Sequence, residues 1–510
     1  MAENSYRDYN FNKALERFSE VGFVETVDFP IVHVVGLPYV KPREVVLFES
    51  GELGYVLSLE RNSVEVLVLS RQPISVNTRV ARTNDLLKVP VGHELLGHVV
   101  DPLGRSLFAA DPVLSFSDFH IIDTEATGVS SREKITKSLE TGVTVVDLLV
   151  PLGKGQRELI IGDRKTGKTE FLLQTFLNQA KKGVVCIYAA VGKKKTDIQK
   201  IVDFVLANDI KHSSLIVASS LLDPAGLIYL TPYSAMSLAE YFRDAGKDVL
   251  LIMDDLTTHA KFYREIALLG KRFPGRGSYP GDIFYTHARL LERAGNFKTE
   301  HGTFSITCLP VAETVEGDIS GYIQTNMMSI TDGHVFFDKG LFAQGRRPAI
   351  NYFLSVTRVG RQTQSKLRWD VSRELMTLLT LLEKTESFVH FGAELSEGVK
   401  TTLSTGRRLI AFFDQPMNKV IPLNLQIILF GVIWLKFLQH VDDVSLVYLA
   451  QETTEVYEKK EEFRQLVDSL VTEAQEINGL LAAITKNKDK LLSFIGGPKI
   501  GGSKNASGGS

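Results

Sequence analysis

Cysteine is nearly absent: Cys186 and Cys308 are the two found in 510 residues. They stand far apart, each inside an apolar run that reads as a buried strand. That count excludes a disulfide framework and favours a reducing compartment. Charge of one sign is lacking too. Lys and Arg number 58 against 60 Asp and Glu, for a net charge of −2. Composition therefore offers no footing for a polyanion such as nucleic acid. Histidine is sparse, 11 residues scattered without metal-ligand spacing. The opening stretch "MAENSYRDYNFNKALERF" has neither the apolar core of a secretory signal nor the acid-poor character of a transit peptide. Long apolar runs are missing as well. The most apolar, "VIPLNLQIILFGVIWLKFL" at 420–438, contains Pro422, Asn424, Gln426 and Lys436. A spanning helix needs about 20 mostly apolar residues, so this run is read as a buried helix. What remains, 44% hydrophobic and 23% charged, is ordinary for a soluble or membrane-peripheral globular protein. The length allows about two to four domains.

What is present falls into successive patterns. Residues 1–19 are polar and form either a short helix or a mobile tail. From 20 to 88 the sequence reads as short strands, among them "EVVLFE", "LGYVLSLE" and "SVEVLVL", split by Gly51, Gly54 and Arg61-Asn62. Strands at this spacing suggest a small β-barrel. From 89 to 365, apolar strands such as "ELIIGD", "VVCIYAAVG", "SLIVASS", "DVLLIMDD" and "FSITCLPV" alternate with helical segments. That alternation implies a mainly parallel sheet covered on both faces. From 366 to 495 the pattern is helical. The run "VYEKKEEFRQLVDSLVTEAQEINGLL" places Phe463, Leu466, Leu470, Ala474 and Ile477 on one face. Residues 496–510 are Gly/Ser-rich and expected to be disordered.

The chemistry is concentrated in "GDRKTGKT", residues 162–169. Gly162, Gly167, Lys168 and Thr169 make the phosphate-loop pattern, with Asp163, Arg164, Lys165 and Thr166 between the glycines. The apolar strand "ELII" precedes it and a helical segment follows, which is the context the motif requires. Glycines let successive N–H groups turn inward around phosphate, and the helix N-terminus adds a favourable dipole. Lys168 would reach the outer phosphates, and Thr169 would offer its hydroxyl to Mg²⁺. "DVLLIMDD" ends an apolar strand in Asp254, the acid needed for the Mg²⁺ water shell. Asp255 either shares that role or orients the loop.

At "ETGVTVVDLLVPLGKGQRELIIGDRKTGKT" the sequence closely resembles the alpha subunits of F-type ATP synthases. "VPVGHELLGHVVDPLGR", "SYPGDIFYTHARLLERAG", "TNMMSITDGHVFF" and "RRPAINYFLSVTRVG" carry the same resemblance. It implies an N-terminal barrel, a central RecA-like P-loop domain and a C-terminal helical bundle. It further implies a ring of three alpha and three beta subunits around a gamma central stalk. A delta or peripheral-stalk subunit and a membrane-embedded ion-translocating sector complete that assembly, with no nucleic acid partner. ATP or ADP with Mg²⁺ would sit at an alpha site that does not turn over. Arg358, in "SVTRVG", would be delivered to the neighbouring beta subunit's catalytic site. Arg347 and Pro348 match the segment packing near the adenine, and Gln415 matches one of two glutamines near that base. The second glutamine falls at Met417. With no transit signal, the expected place is the cytoplasmic face of a bacterial membrane, as a peripheral protein, ahead of an organelle.

Some positions depart from the family. Lys165 stands where Gln is usual and Gly277 where Glu is usual. After Val191-Gly192, hydrolysing relatives carry a Glu and alpha subunits a Gln; here the residue is Lys193. A charged lysine cannot act as the base. Lys193 is either part of a solvated turn with Lys194 and Lys195 or a contact for the phosphates. A homohexameric export-type ATPase would need an acid there, and a nucleic-acid translocase would want basic, aromatic-bearing pore loops. An alpha-like subunit of an atypical rotary ATPase remains the nearest alternative.

Overall fold

A computed structural model describes residues 9–70, 72–108, 116–390, 397–416 and 419–495. The Gly/Ser-rich tail and Met417 lie outside the described residues. The protein divides into two compact units. The first comprises the residues up to Thr136 with Lys154–Arg164 and Gln179–His334. The second comprises Lys137–Gly153, Lys165–Asn178 and the residues from Val335 onward.

The first unit begins with a helix, Phe11–Phe18, whose N-cap Asn10 accepts from the Lys13 amide. A closed six-stranded barrel follows. Its strands run in the order Val21–Asp28, Ile31–Val35, Val64–Val68, Leu53–Leu59, Glu44–Phe48 and Arg79–Leu86. Valines stiff at χ1 suit these strands. Val24, Val32, Val34, Val46, Val56, Val66 and Val80 fill the interior around Phe48. Closure removes the free edges that such strands would otherwise expose.

The same unit holds the central sheet. Strands Glu158–Asp163, Gly302–Thr314, Val249–Asp254, Val185–Lys193, Ser214–Ser220 and Val99–Val100 pair in that order, all parallel. Parallel strands are covered on both faces, so they read as continuous apolar runs. Every residue of Val249–Asp254 and of Ser214–Ser220 is buried. Cys186 and Cys308 lie wholly buried in two of these strands. Sequence reading missed Gly295–Thr299, which pairs antiparallel with Gly302–Thr314, because its run "GNFKT" is short and polar.

The second unit is mainly helical. Lys366–His390, Glu397–Phe413, Leu423–Trp434, Asp443–Lys459, Glu461–Glu473, Ile477–Lys486 and Lys488–Ile495 follow one another. Leu423–Trp434 is buried almost all round, including Gln426, whose amide donates to Asp147 Oδ2 at 3.0 Å and to the Ile421 carbonyl at 2.8 Å. Among the described residues no helix is long and apolar enough to cross a membrane. The face expected to run from Phe463 to Ile477 is interrupted. One helix ends at Glu473 and the next starts at Ile477, with Ala474 and Glu476 extended between them. Within Glu461–Glu473 the buried residues are Phe463, Val467 and Leu470, so Val467 takes the place expected for Leu466. An i, i+4, i+7 stripe centres on those three once the helix no longer has to aim Ala474 inward.

Candidate nucleotide site

The phosphate loop is built by an abrupt change of backbone. The strand Glu158–Asp163 ends, a turn at 164–165 and a bend at 166–167 follow, and a helix opens at Lys168 and runs to Lys181. Gly162, Lys165 and Gly167 take positive φ values of 155°, 60° and 95°. Two of the three are glycines, which adopt such values without a Cβ penalty. Lys165 does so as a lysine and stays exposed. Asp163 is buried, and its Oδ1 accepts from the Thr314 hydroxyl and from the Gly317 amide at 2.9 Å. Its side chain therefore anchors the 314–317 turn. Arg164 is exposed and donates from Nε to Glu313 Oε2 at 2.7 Å, a pairing that raises its pKa. Thr166 and Lys168 are buried, whereas Thr169 stands exposed in the first helical turn. A donor lysine, an exposed hydroxyl and backbone bent at glycines suit a phosphate group with its metal ion.

Asp254 ends its strand, and Asp255 caps the helix Leu256–Leu269 by accepting from the Thr258 amide at 2.6 Å. Both are almost fully buried. Asp254 Oδ2 accepts from the Tyr188 hydroxyl at 2.7 Å, and its Oδ1 accepts from Lys193 Nζ at 2.7 Å. The same ammonium donates to Asp255 Oδ2 at 3.2 Å. The Lys193 side chain is only 20% exposed. Lys193 is thus not part of a solvated turn. Burial works against its charge, but Asp254 and Asp255 together outweigh burial and hold its pKa above the usual lysine value. Gly192 makes the approach possible. Its φ is +57°, and a Cβ there would meet Thr258 Cγ2 at 3.1 Å and Ile228 Cγ2 at 3.2 Å. Nothing in the sequence pattern signalled Tyr188 or Glu313 as partners, because each sits inside an apolar strand.

In the second unit, Gln415 and Arg347 come together. The Gln415 amide N–H donates to the Arg347 carbonyl at 2.6 Å. The Gln415 side chain is 4% exposed. Its Oε1 accepts from Thr144 N at 3.0 Å and Thr144 Oγ1 at 3.1 Å. Its Nε2 donates to the Gly142 carbonyl at 2.7 Å and to the Lys419 carbonyl. An amide offers two acceptor and two donor positions, and all four are engaged. Gln415 thereby caps the helix Thr144–Leu149, which has no side-chain cap of its own. Arg347 is exposed, donates to the carbonyls of Phe342 and Arg346 and lies over the Phe342 ring; Pro348 is half-buried.

Arg358 is exposed, and among the described residues no hydrogen bond or ion pair engages it. Its neighbours are pinned. Thr357 Oγ1 donates to the Pro151 carbonyl at 2.9 Å. Gly360 packs so closely that a Cβ would fall 1.6 Å from the same oxygen. Gly277, in the other departure, has φ +63°, where glycine is at ease and a glutamate would be strained.

Residues 142–357 match the model of the nucleotide-binding domain of the ATP synthase alpha/beta family, and 364–487 match the model of its C-terminal domain. An ATP synthase subunit alpha from Petrotoga mobilis is 39% identical over 470 residues, 90% of this protein and 93% of that one. An ATP synthase subunit alpha from Macrococcus caseolyticus is 41% identical over 429 residues, 84% of each. With the phosphate loop, the strand-end aspartate and the barrel, sheet and helices in family order, the chain belongs to the ATP synthase subunit alpha family.

Proposed function

We propose that the protein is the alpha-type subunit of a proton- or sodium-translocating F-type ATP synthase. It holds ATP or ADP with Mg²⁺ at a site that does not turn over, and it delivers Arg358 to the catalytic site of a neighbouring beta subunit. One observation carries the reading. At the position after Gly192, where hydrolysis needs a group to orient water, there is an ammonium ion-paired to Asp254 and Asp255. That group can neither accept a proton from water nor act as a base. The exposed, unengaged Arg358 on a pinned segment supports the second half. A guanidinium held out in this way matches phosphoryl oxygens through its planar fork, which a lysine does not.

Lys168 and Thr169 on the helix, the loop backbone from Gly162 to Gly167, and Asp254 through water are assigned to the phosphates and Mg²⁺. Bound Mg²⁺ would neutralise charge on the outer phosphates. Arg347, Pro348 and Gln415 are assigned to the base end, with Gln415 holding the backbone there instead of reading the base. Partners on this reading are beta subunits in a three-plus-three ring, a gamma stalk, a peripheral-stalk subunit and, indirectly, a membrane sector. The place is peripheral to a membrane, on the cytoplasmic face if bacterial.

The test is to measure MgATP binding and hydrolysis by the protein alone, then hydrolysis after mixing with beta and gamma subunits of its own source. Binding without turnover, followed by turnover on mixing that Arg358→Lys abolishes, is expected. Robust turnover by the isolated protein overturns the reading.

A further inference from the structure

We propose that Lys193 is a resident counter-cation for the Asp254–Asp255 pair, and that it makes nucleotide binding by this protein nearly independent of Mg²⁺. The inference rests on the reading of the protein as a nucleotide-holding subunit. It concerns what the departure at position 193 does there.

Two adjacent carboxylates, 5% and 2% exposed, are costly to bury without a positive partner. A divalent cation is one solution, drawn in by both acids. Here the partner is covalently supplied. Lys193 Nζ lies 2.7 Å from Asp254 Oδ1 and 3.2 Å from Asp255 Oδ2. The remaining oxygens are also engaged: Tyr188 donates to Asp254 Oδ2, and the Thr258 amide donates to Asp255 Oδ1. The arrangement is built into the backbone. Lys193 follows the Gly192 bend, where a side chain would press on Thr258 and Ile228. Ala190, three residues before Lys193, pairs directly with Asp254 at the end of the neighbouring strand, so the lysine leaves its own strand beside both acids.

Two consequences follow. An incoming cation meets a pair whose net charge is −1 instead of −2, with an ammonium already on the acceptor oxygens, so its attraction is weaker. Metal-free ATP, which carries its full negative charge, meets less repulsion from these acids. Both effects narrow the gap between binding of MgATP and of free ATP. A glutamine at 193, uncharged, would leave the aspartates to recruit the metal. Lys193 acts on nucleotide through these aspartates, so it is a positioning and charge-setting residue, not a catalytic one.

The experiment titrates ATP into the full-length protein in excess Mg²⁺ and again in excess EDTA, for the parent, Lys193→Gln and Lys193→Arg. A second readout follows Mn²⁺ binding to the nucleotide-free proteins by electron paramagnetic resonance. In the parent the two ATP affinities should agree within about fivefold, the low end of ordinary coupling between two ligands. In Lys193→Gln the gap should widen toward about 100-fold, with tighter Mn²⁺ binding, while Lys193→Arg stays like the parent. A parent that binds ATP about 100-fold more weakly in EDTA overturns the inference by itself, whether or not the variants fold. Equal gaps in parent and Lys193→Gln, or unchanged Mn²⁺ affinity, overturn it as well. Failure of every protein to bind ATP in either condition sinks the nucleotide-holding reading, and the inference with it.

Discussion

Replacing Gln415 with Leu separates a base-reading role from a structural one. Leucine keeps much of the buried bulk and removes all four side-chain hydrogen bonds. The losses are unequal. The Lys419 carbonyl keeps the Gln174 Nε2 donor at 2.6 Å, and the Gly142 carbonyl keeps the same donor at 3.5 Å. Thr144 fares worse, because its amide loses the acceptor that caps the helix Thr144–Leu149. Thr144 is wholly buried, so water cannot replace that acceptor. An orphaned buried donor costs about 1–3 kcal/mol, and each of the other lost bonds about 0.5–1.5 kcal/mol. Partial rescue by Gln174 brings the sum to about 3 kcal/mol. In a unit of about 150–250 residues each kcal/mol lowers the melting temperature by about 2–4 °C. Thermal unfolding of the full-length protein followed by circular dichroism should therefore show the second unit melting about 6–12 °C lower. The ratio of ATP to GTP affinity should not change. An unaltered melting temperature together with loss of the ATP preference would refute the reasoning and return Gln415 to the base.

In the mixed assembly, Arg358→Lys should lower turnover by about 10³-fold or more while leaving ATP binding by the isolated protein intact, as measured by steady-state hydrolysis and titration. Gly360→Ala should reduce turnover of the same assembly without touching Arg358 chemically, because the Pro151 carbonyl must move out of the Cβ's way; unchanged turnover would show that pinning is unimportant. Arg293 is wholly buried and bonds Glu240 through two nitrogens, the Ser237 hydroxyl and the Ile122 carbonyl. Arg293→Met should cost about 3–5 kcal/mol in a denaturant titration, and Glu240→Leu added to it should restore part of the loss. The buried pair His259–His287 supplies an acid-sensitive element. Their ring nitrogens lie 3.1 Å apart, and burial pushes His259 down to about 4 and His287 well below its usual value. An unfolded histidine takes its proton near pH 6.5, so stability from this pair is present above that pH and drains as pH falls toward 4. His259 alone accounts for about 3 kcal/mol over that window. The melting temperature should drop between pH 7 and pH 5 by more in the parent than in a His259→Gln/His287→Gln variant.

Much of this protein was legible in its residues. The phosphate loop is a local device: glycines at the bends and a helix start after a strand are written in eight consecutive positions. Strand and helix in the central region follow from burial pattern, since parallel strands covered on both faces must be apolar throughout. The buried character of Leu423–Trp434 followed from length and from its polar residues. Other features came only with the tertiary structure, because they depend on which distant segments meet. The helix break at 474–476 is invisible to a periodicity that nearly continues across it. Lys193 sits among three lysines that look alike in the sequence; the Gly192 bend and the pairing of Ala190 with Asp254 bring one of them to Asp254 and Asp255. Gln415 is 271 residues from Thr144, and nothing nearby in the sequence foretold that its amide would be spent on a helix end. Sequence by itself determined the local geometry and the family; the partners of Lys193 and the task of Gln415 were decided by the fold, since hydrogen bonds and ion pairs are set by distance in space, not by separation along the backbone.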